Sequence, residues 1–155
     1  MAKTDKSALM RILEEKCTNV QVTKIPQGAM LDAMAHIQSF RDIPDTFGKL
    51  SDLVLTQIVN MGSTNGCSRL DFVGDTYPQG SIKDMERERR AGKGAEVITI
   101  YGPEQKTPRQ FKKFLSDGKN KESLLEFFFQ SWTSAQLTTD ITIYVAHGKF
   151  CHKLS

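Results

Sequence analysis

Short apolar runs alternate along this chain with stretches of helical periodicity, and that alternation leaves few ways to fold. Arg69 to Gly74 and Ile141 to Ala146 are rich in residues that suit a pleated surface. Val97 to Tyr101 is a third run of this kind. Ala29 to Asp32 is a weaker fourth, because Met and Ala are not strong strand formers. Between the first two strands in chain order, Phe47, Leu50, Leu53, Val54, Ile58 and Met61 recur at the spacing of one helix face. Thr46 would open that helix and Gly62 is expected to end it. Leu124, Leu125, Phe128 and Trp132 mark a second amphipathic helix, from about Lys121 to Trp132. Strands separated by helices imply an α/β fold with a mainly parallel central sheet, since a parallel pair needs a crossover long enough to hold a helix.

The remaining elements fit around this frame. Residues 5–17 read as an amphipathic helix with Leu9, Met10, Ile12 and Leu13 on one face. Pro26-Gln27-Gly28 closes the connection that follows, so residues 1–27 form a helix and linker and residues 28–155 the α/β domain. Ala33 to Phe40 favours a helical turn. Ser81 caps a charged helix with Asp84 at the capping-box distance, and Gly92-Lys93-Gly94 ends it. Thr107-Pro108 is a cap and first-turn proline for a helix through Leu115. Gly148 turns the last strand into a short hairpin over Phe150 to Leu154. Phe127, Phe128 and Phe129 are consecutive, so one of them is expected to face outward.

Composition narrows the function classes. With 39% hydrophobic and 25% charged residues among 155, the chain suits one soluble domain with a real core. No apolar run reaches membrane-span length, and Met1-Ala-Lys-Thr-Asp-Lys6 leads into no signal-peptide core. Cys17, Cys67 and Cys151 are odd in number and far apart, which argues for an intracellular, reducing setting, nuclear or cytoplasmic. The net charge of +3 is small, but residues 81–121 hold eleven Lys and Arg against six Asp and Glu, which suggests a basic face.

Two aspartates carry the chemistry. Asp32 and Asp75 each close an apolar run. In an open α/β sheet ligands bind beyond the carboxyl ends of the strands, where two carboxylates can hold a hard divalent cation. The competing reading is that each Asp caps the helix after its strand. Lys83, Arg87 and Arg90 follow at i, i+4 and i+7, one stripe of the charged helix and the geometry that phosphate contact requires; a solvated helix face gives the same spacing. Lys112, Lys113, Lys119 and Lys121 could extend that track or simply cluster at a helix end. Glu86 and Glu88, two apart on a helix, do not share a face. His147, Cys151 and His152 make three potential zinc ligands without a fourth. His36, near Asp32, could reach substrate, but a packing role in the helical turn is the simpler reading.

The segment Leu31-Asp-Ala-Met-Ala-His-Ile-Gln-Ser-Phe40 resembles the first strand and turn of PIN-like nucleases, particularly their flap-endonuclease branch. Asp75-Thr-Tyr-Pro-Gln79 with Ser81 to Arg90 is similar to that branch's second strand, proline turn and DNA-facing helix. Residues 28–155 also resemble a set of metazoan proteins linked to mobile elements, through Asp32 to Ala35, Asp75 to Tyr77, Ser81 to Arg90, Trp132 and Tyr144-Val145. The resemblance implies a three-layer PIN-like fold and a metal-dependent nuclease acting on DNA or RNA. Asp32 and Asp75 would ligate Mg²⁺ or Mn²⁺, while Lys83, Arg87 and Arg90 would contact phosphates. It also implies further acids from a Glu-Ala-Asp-type segment beyond the Ile141–Ala146 strand. That strand is expected beside the Asp32 strand. The 155 residues carry no such segment, so the chain is expected to be the front of the domain and weakly active or inactive. The alternative is a non-catalytic interaction module that keeps the fold.

Overall fold

The computed structural model describes Arg11 and residues 27–75, 96–137 and 139–154. Their order is β1 (Gly28–Asp32), α1 (Ala33–Gln38), α2 (Phe47–Thr64), β2 (Arg69–Gly74), α3 (Phe111–Phe114), α4 (Gly118–Thr133), β3 (Thr142–His147) and β4 (Phe150–Leu154). The sheet runs β1-β2-β3-β4; β1, β2 and β3 are parallel and β4 returns antiparallel to β3. This is the expected α/β fold with a mixed, mostly parallel sheet flanked by helices. No helix among the described residues is long and apolar enough to cross a membrane. Of the helix expected over residues 5–17, Arg11 is described, and it is helical and exposed. The charged helix expected from Ser81, with Lys83, Arg87 and Arg90, lies outside the described residues.

The strand register sorts side chains onto two unlike faces. Leu70, Phe72, Ile143, Val145 and Leu154 share one face and are all buried. The helices pack there. Phe72 meets His36 of α1 and Trp132 of α4, with ring centroids 6.5 and 5.5 Å away. Gly62 of α2 lies so close to Ile141 that a Cβ would come within 2.8 Å of its Cδ1. A sheet that steps the same way at each right-handed crossover puts every crossover helix on the same side. The other face, which carries Met30, Asp71, Val73, Tyr144, Ala146 and Lys153, has no buried residue, and Met30 is 77% exposed.

Several local expectations change. Gly62 does not end α2; the helix continues to Thr64, and Gly66 takes the left-handed conformation (φ 63°) that turns the chain away. Val97 to Tyr101 forms no strand, because side chains take its backbone groups. The Ile98 N–H donates to Asn120 Oδ1 at 2.8 Å, and the Tyr101 N–H to Gln105 Oε1 at 2.7 Å. Gln105 Nε2 donates to the Thr99 carbonyl, and Asn120 Nδ2 to that of Glu96. The helix expected from Thr107-Pro108 begins only at Phe111. The Thr107 hydroxyl is used as a tether instead of a cap, since it donates to the Pro44 carbonyl across the fold. None of the three consecutive phenylalanines is exposed. Phe128 stacks on Trp132, Phe127 meets Phe47, and Phe129 packs on Phe150 and His152.

The Ile141–Ala146 run does not lie beside the Asp32 strand; β2 separates them. The burial patterns give the reason. β2 places Leu70 and Phe72 at 2% and 1% exposure, which suits a central strand, whereas β1 buries no residue and suits an edge.

His36 is a buried packing residue, edge-on to Phe40 and Phe72, and its Nε2 has no hydrogen-bond partner. Burial disfavours the imidazolium and holds its pKa below the usual 6.5. The unfolded chain therefore binds the proton more readily. The stability tied to a neutral His36 is complete above pH 6.5 and is lost as pH falls from there towards the lowered folded pKa. His36→Phe should flatten the fall in urea midpoint over that window; an unchanged pH profile would contradict this.

Candidate functional site at the carboxyl ends of the strands

Asp32 is the last residue of β1, and Asp75 follows directly on Gly74, the last of β2. The two strands are neighbours and parallel, with Asp32 opposite Val73, so both aspartates stand at the same end of the sheet. Both are exposed. Asp32 also caps α1: its Oδ1 accepts from the Ala35 N–H at 2.8 Å, while its backbone stays extended at φ −68°, ψ 116°. The cap uses one oxygen, and Oδ2 makes no hydrogen bond among the described residues. Asp75 is likewise uncommitted there.

Gly74 sets what surrounds Asp75. A Cβ at this position would fall 2.8 Å from Leu125 Cδ1 and 3.2 Å from His147 Nδ1. The bare backbone lets α4 and the end of β3 close onto β2 just before the aspartate. His147, paired with Gly74 in the register, completes this edge. Its Nε2 lies 3.3 Å from Glu122 Oε1, and its buried Nδ1 has no hydrogen-bond partner. Beside the pair, a cavity of about 440 Å³ opens between α4 and the β3–β4 turn, walled by Phe129, Phe150 and Glu126. Sequence reasoning grouped His147 with zinc and missed both Gly74 and Glu122. Gly74 was legible as a glycine at the end of a strand, where close backbone approach is a standard cause. The Glu122 contact joins positions far apart in the chain and left no sequence signal.

His147, Cys151 and His152 do not converge. Cys151 pairs with Ala146 and His152 with Val145, so Cys151 projects from the open face and His152 from the helix-covered one. Among the described residues, no three His, Cys, Asp or Glu side chains are gathered as a metal site. On the open face, Arg69 Nε bonds Asp71 Oδ1 at 2.9 Å, and its guanidinium lies 4.4 Å from the Tyr144 ring centroid. Asp71 is thus engaged along its own strand, away from the carboxyl edge. No protein-family model, curated protein or solved structure matches the chain.

Proposed function

We propose that this chain is a nuclease-like domain of PIN-like architecture that binds nucleic-acid phosphodiesters beside a divalent cation. The observation that carries the reading is the placement of Asp32 and Asp75 at the carboxyl ends of two adjacent parallel strands. The donor set fits the ion: two exposed carboxylates suit one Mg²⁺ or Mn²⁺ that keeps most of its waters. A bound ion of this kind would polarise a phosphoryl oxygen and acidify a coordinated water. The bond from the Ala35 N–H fixes the Asp32 carboxylate and leaves its second oxygen for the cation. Lys83, Arg87 and Arg90 are the proposed phosphate contacts of the segment after Asp75. The three-layer arrangement belongs to the same proposal. Two carboxylates hold a second ion poorly, so cleavage by these 155 residues is expected to be weak.

The cap makes a discriminating test available. Asn caps a helix about as well as Asp, whereas Ala does not. Asp32→Asn should keep the wild-type urea midpoint and weaken Mn²⁺ binding, read by calorimetry, by more than the roughly tenfold that loss of an outer-shell partner costs. Asp75→Asn should do the same. Asp32→Ala should lose the ion and also about 1 kcal/mol of stability. Mn²⁺ binding unchanged in both Asn variants would sink the metal site.

The Asp32–Ala35 bond also favours a second reading, an interaction module in which Asp32 serves the fold alone. Wild-type protein that binds no Mn²⁺, with Asp32→Ala destabilised and Asp32→Asn not, is the outcome that selects it.

A further inference from the structure

We infer that a groove on the helix-covered side, distinct from the aspartate pair, binds single-stranded nucleic acid through its backbone phosphates and an unpaired base. The groove lies between the segment after α1 and the turn leading into α3, with a volume of about 420 Å³. Four cations line it: Arg41 from the first segment, Arg109 from the turn, and Lys112 and Lys113 from α3 itself. All four are exposed, and none forms an ion pair among the described residues. A second depression continues from it along Lys112 and includes Lys121. No Asp or Glu lines either one.

Charge of one sign gathered around a concave surface is the electrostatic signature of a polyanion site, because low-dielectric walls focus the field. Two cations outside the groove are neutralised by carboxylates, whereas among the described residues the four around it are not. Lys49 is paired with Asp45, and Arg69 with Asp71. Unpaired cations around a recess cost the fold repulsion, which a bound row of phosphates would relieve.

The apolar lining decides between forms of nucleic acid. Phe40 and Ile43, both half-buried, line the same recess as the exposed cations. A duplex would offer its phosphates to the cations and keep its bases stacked inside. A single strand can lay its backbone along the cations and turn a base onto the apolar lining, the combination that single-strand binders use. Position supports the same ligand. α1 starts at the Asp32 cap and is six residues long, about 9 Å. A strand held in the groove therefore lies within a few nucleotides of the aspartates. The inference deepens the nuclease-like reading by naming a substrate form and residues that hold it, but it does not require the metal.

The test uses the full chain in EDTA, so that the metal site contributes nothing, with a fluorescein-labelled 12-nucleotide single strand read by anisotropy. Wild-type protein should bind with log K falling linearly in log salt, at a slope of about −0.7 per phosphate neutralised. Arg109→Gln with Lys113→Gln should weaken binding at least about tenfold at low salt and flatten the slope by about 1.4. Lys49→Gln, whose side chain is held by Asp45 outside the groove, should leave the slope unchanged. A duplex of the same length should bind more weakly than the single strand. Binding and slope untouched by the double substitution would overturn the inference. Equal or tighter duplex binding would overturn the seating of a base on Phe40. Binding to vesicles containing anionic lipid but not to the oligonucleotide would assign the groove to a membrane surface instead. Failure of Mn²⁺ binding alongside an intact single-strand response would defeat the metal reading and leave this site standing.

Discussion

Replacing Asn120 with leucine is expected to destabilise the fold by about 3 to 5 kcal/mol, because one side-chain amide serves three separate backbone groups. Asn120 is fully buried in the first turn of α4. Its Nδ2 donates to the Glu96 carbonyl at 3.0 Å and to the Phe114 carbonyl at 3.1 Å, while its Oδ1 accepts from the Ile98 N–H at 2.8 Å. These bonds fasten the 96–100 segment to the end of α3 and explain why that β-branched run joins no sheet. Leucine matches the volume but leaves the buried Phe114 carbonyl and the half-buried Ile98 N–H and Glu96 carbonyl without their side-chain partner. Asn120→Asp keeps the acceptor, loses both donors and buries a charge, so it should be no milder. A urea midpoint within about 1 kcal/mol of wild type for Asn120→Leu would show that water reaches these groups and that the clamp is not what holds the segment.

Phe72→Ala should cost about 3 to 5 kcal/mol, at the upper end for a core truncation. Phe72 stands on the central strand β2, 1% exposed, and is where α1 and α4 meet the sheet through His36 and Trp132. The rings around it interlock: Trp132 stacks on Phe128 at 5.2 Å with the planes 16° apart, so they have little freedom to fill a cavity. Val73→Ala, one residue along, supplies the contrast. Val73 projects from the face that buries none of its described residues, and its truncation should cost less than about 1 kcal/mol. Two neighbouring positions on one strand would then differ several-fold. Equal losses would mean that the second face is covered as fully as the first.

The parts of the fold that were legible in sequence are those set by local pattern. The apolar period of α2 and of α4, the β-branched run of β3 and the Gly148 hairpin each sit within two or three residues of their expected places. What sequence could not supply was long-range. Nothing in Val97 to Tyr101 reveals that Asn120 and Gln105 will claim its backbone. The order of the strands was also misplaced, since a crossover can carry β3 to the free edge of β1 or to that of β2, and burial on both flanks of β2 decides. At the site, a terminal aspartate before a helix is legible as a cap, and the Asp32–Ala35 bond has that form. That the second aspartate strand adjoins the first is set by tertiary pairing. Of the groove cations, Lys112 and Lys113 stood out in sequence as a possible basic track, but their grouping with Arg41 and Arg109 did not. Arg41 comes from a loop after α1, while Arg109, Lys112 and Lys113 come from far along the chain, and no linear motif joins them.

The strand register also fixes the order in which contacts can form. His147 pairs with Phe150 across a two-residue turn, whereas Gly28 must find Arg69, and Arg69 must find Thr142. Loops of about forty and seventy residues have to close before either parallel ladder gains a bond, and each doubling of loop length adds only about 0.6 kcal/mol. The entropy penalty is modest, but it falls due before any reward. The β3–β4 hairpin is within reach in roughly 1–10 μs, and the parallel pairs must wait for the helices that bring their ends together. Until then the apolar edge of β2 is bare. In the cell that interval is when a chain like this would most need a chaperone, and crowding at high expression should lower yield through association of nascent chains more than through any weakness of the finished fold.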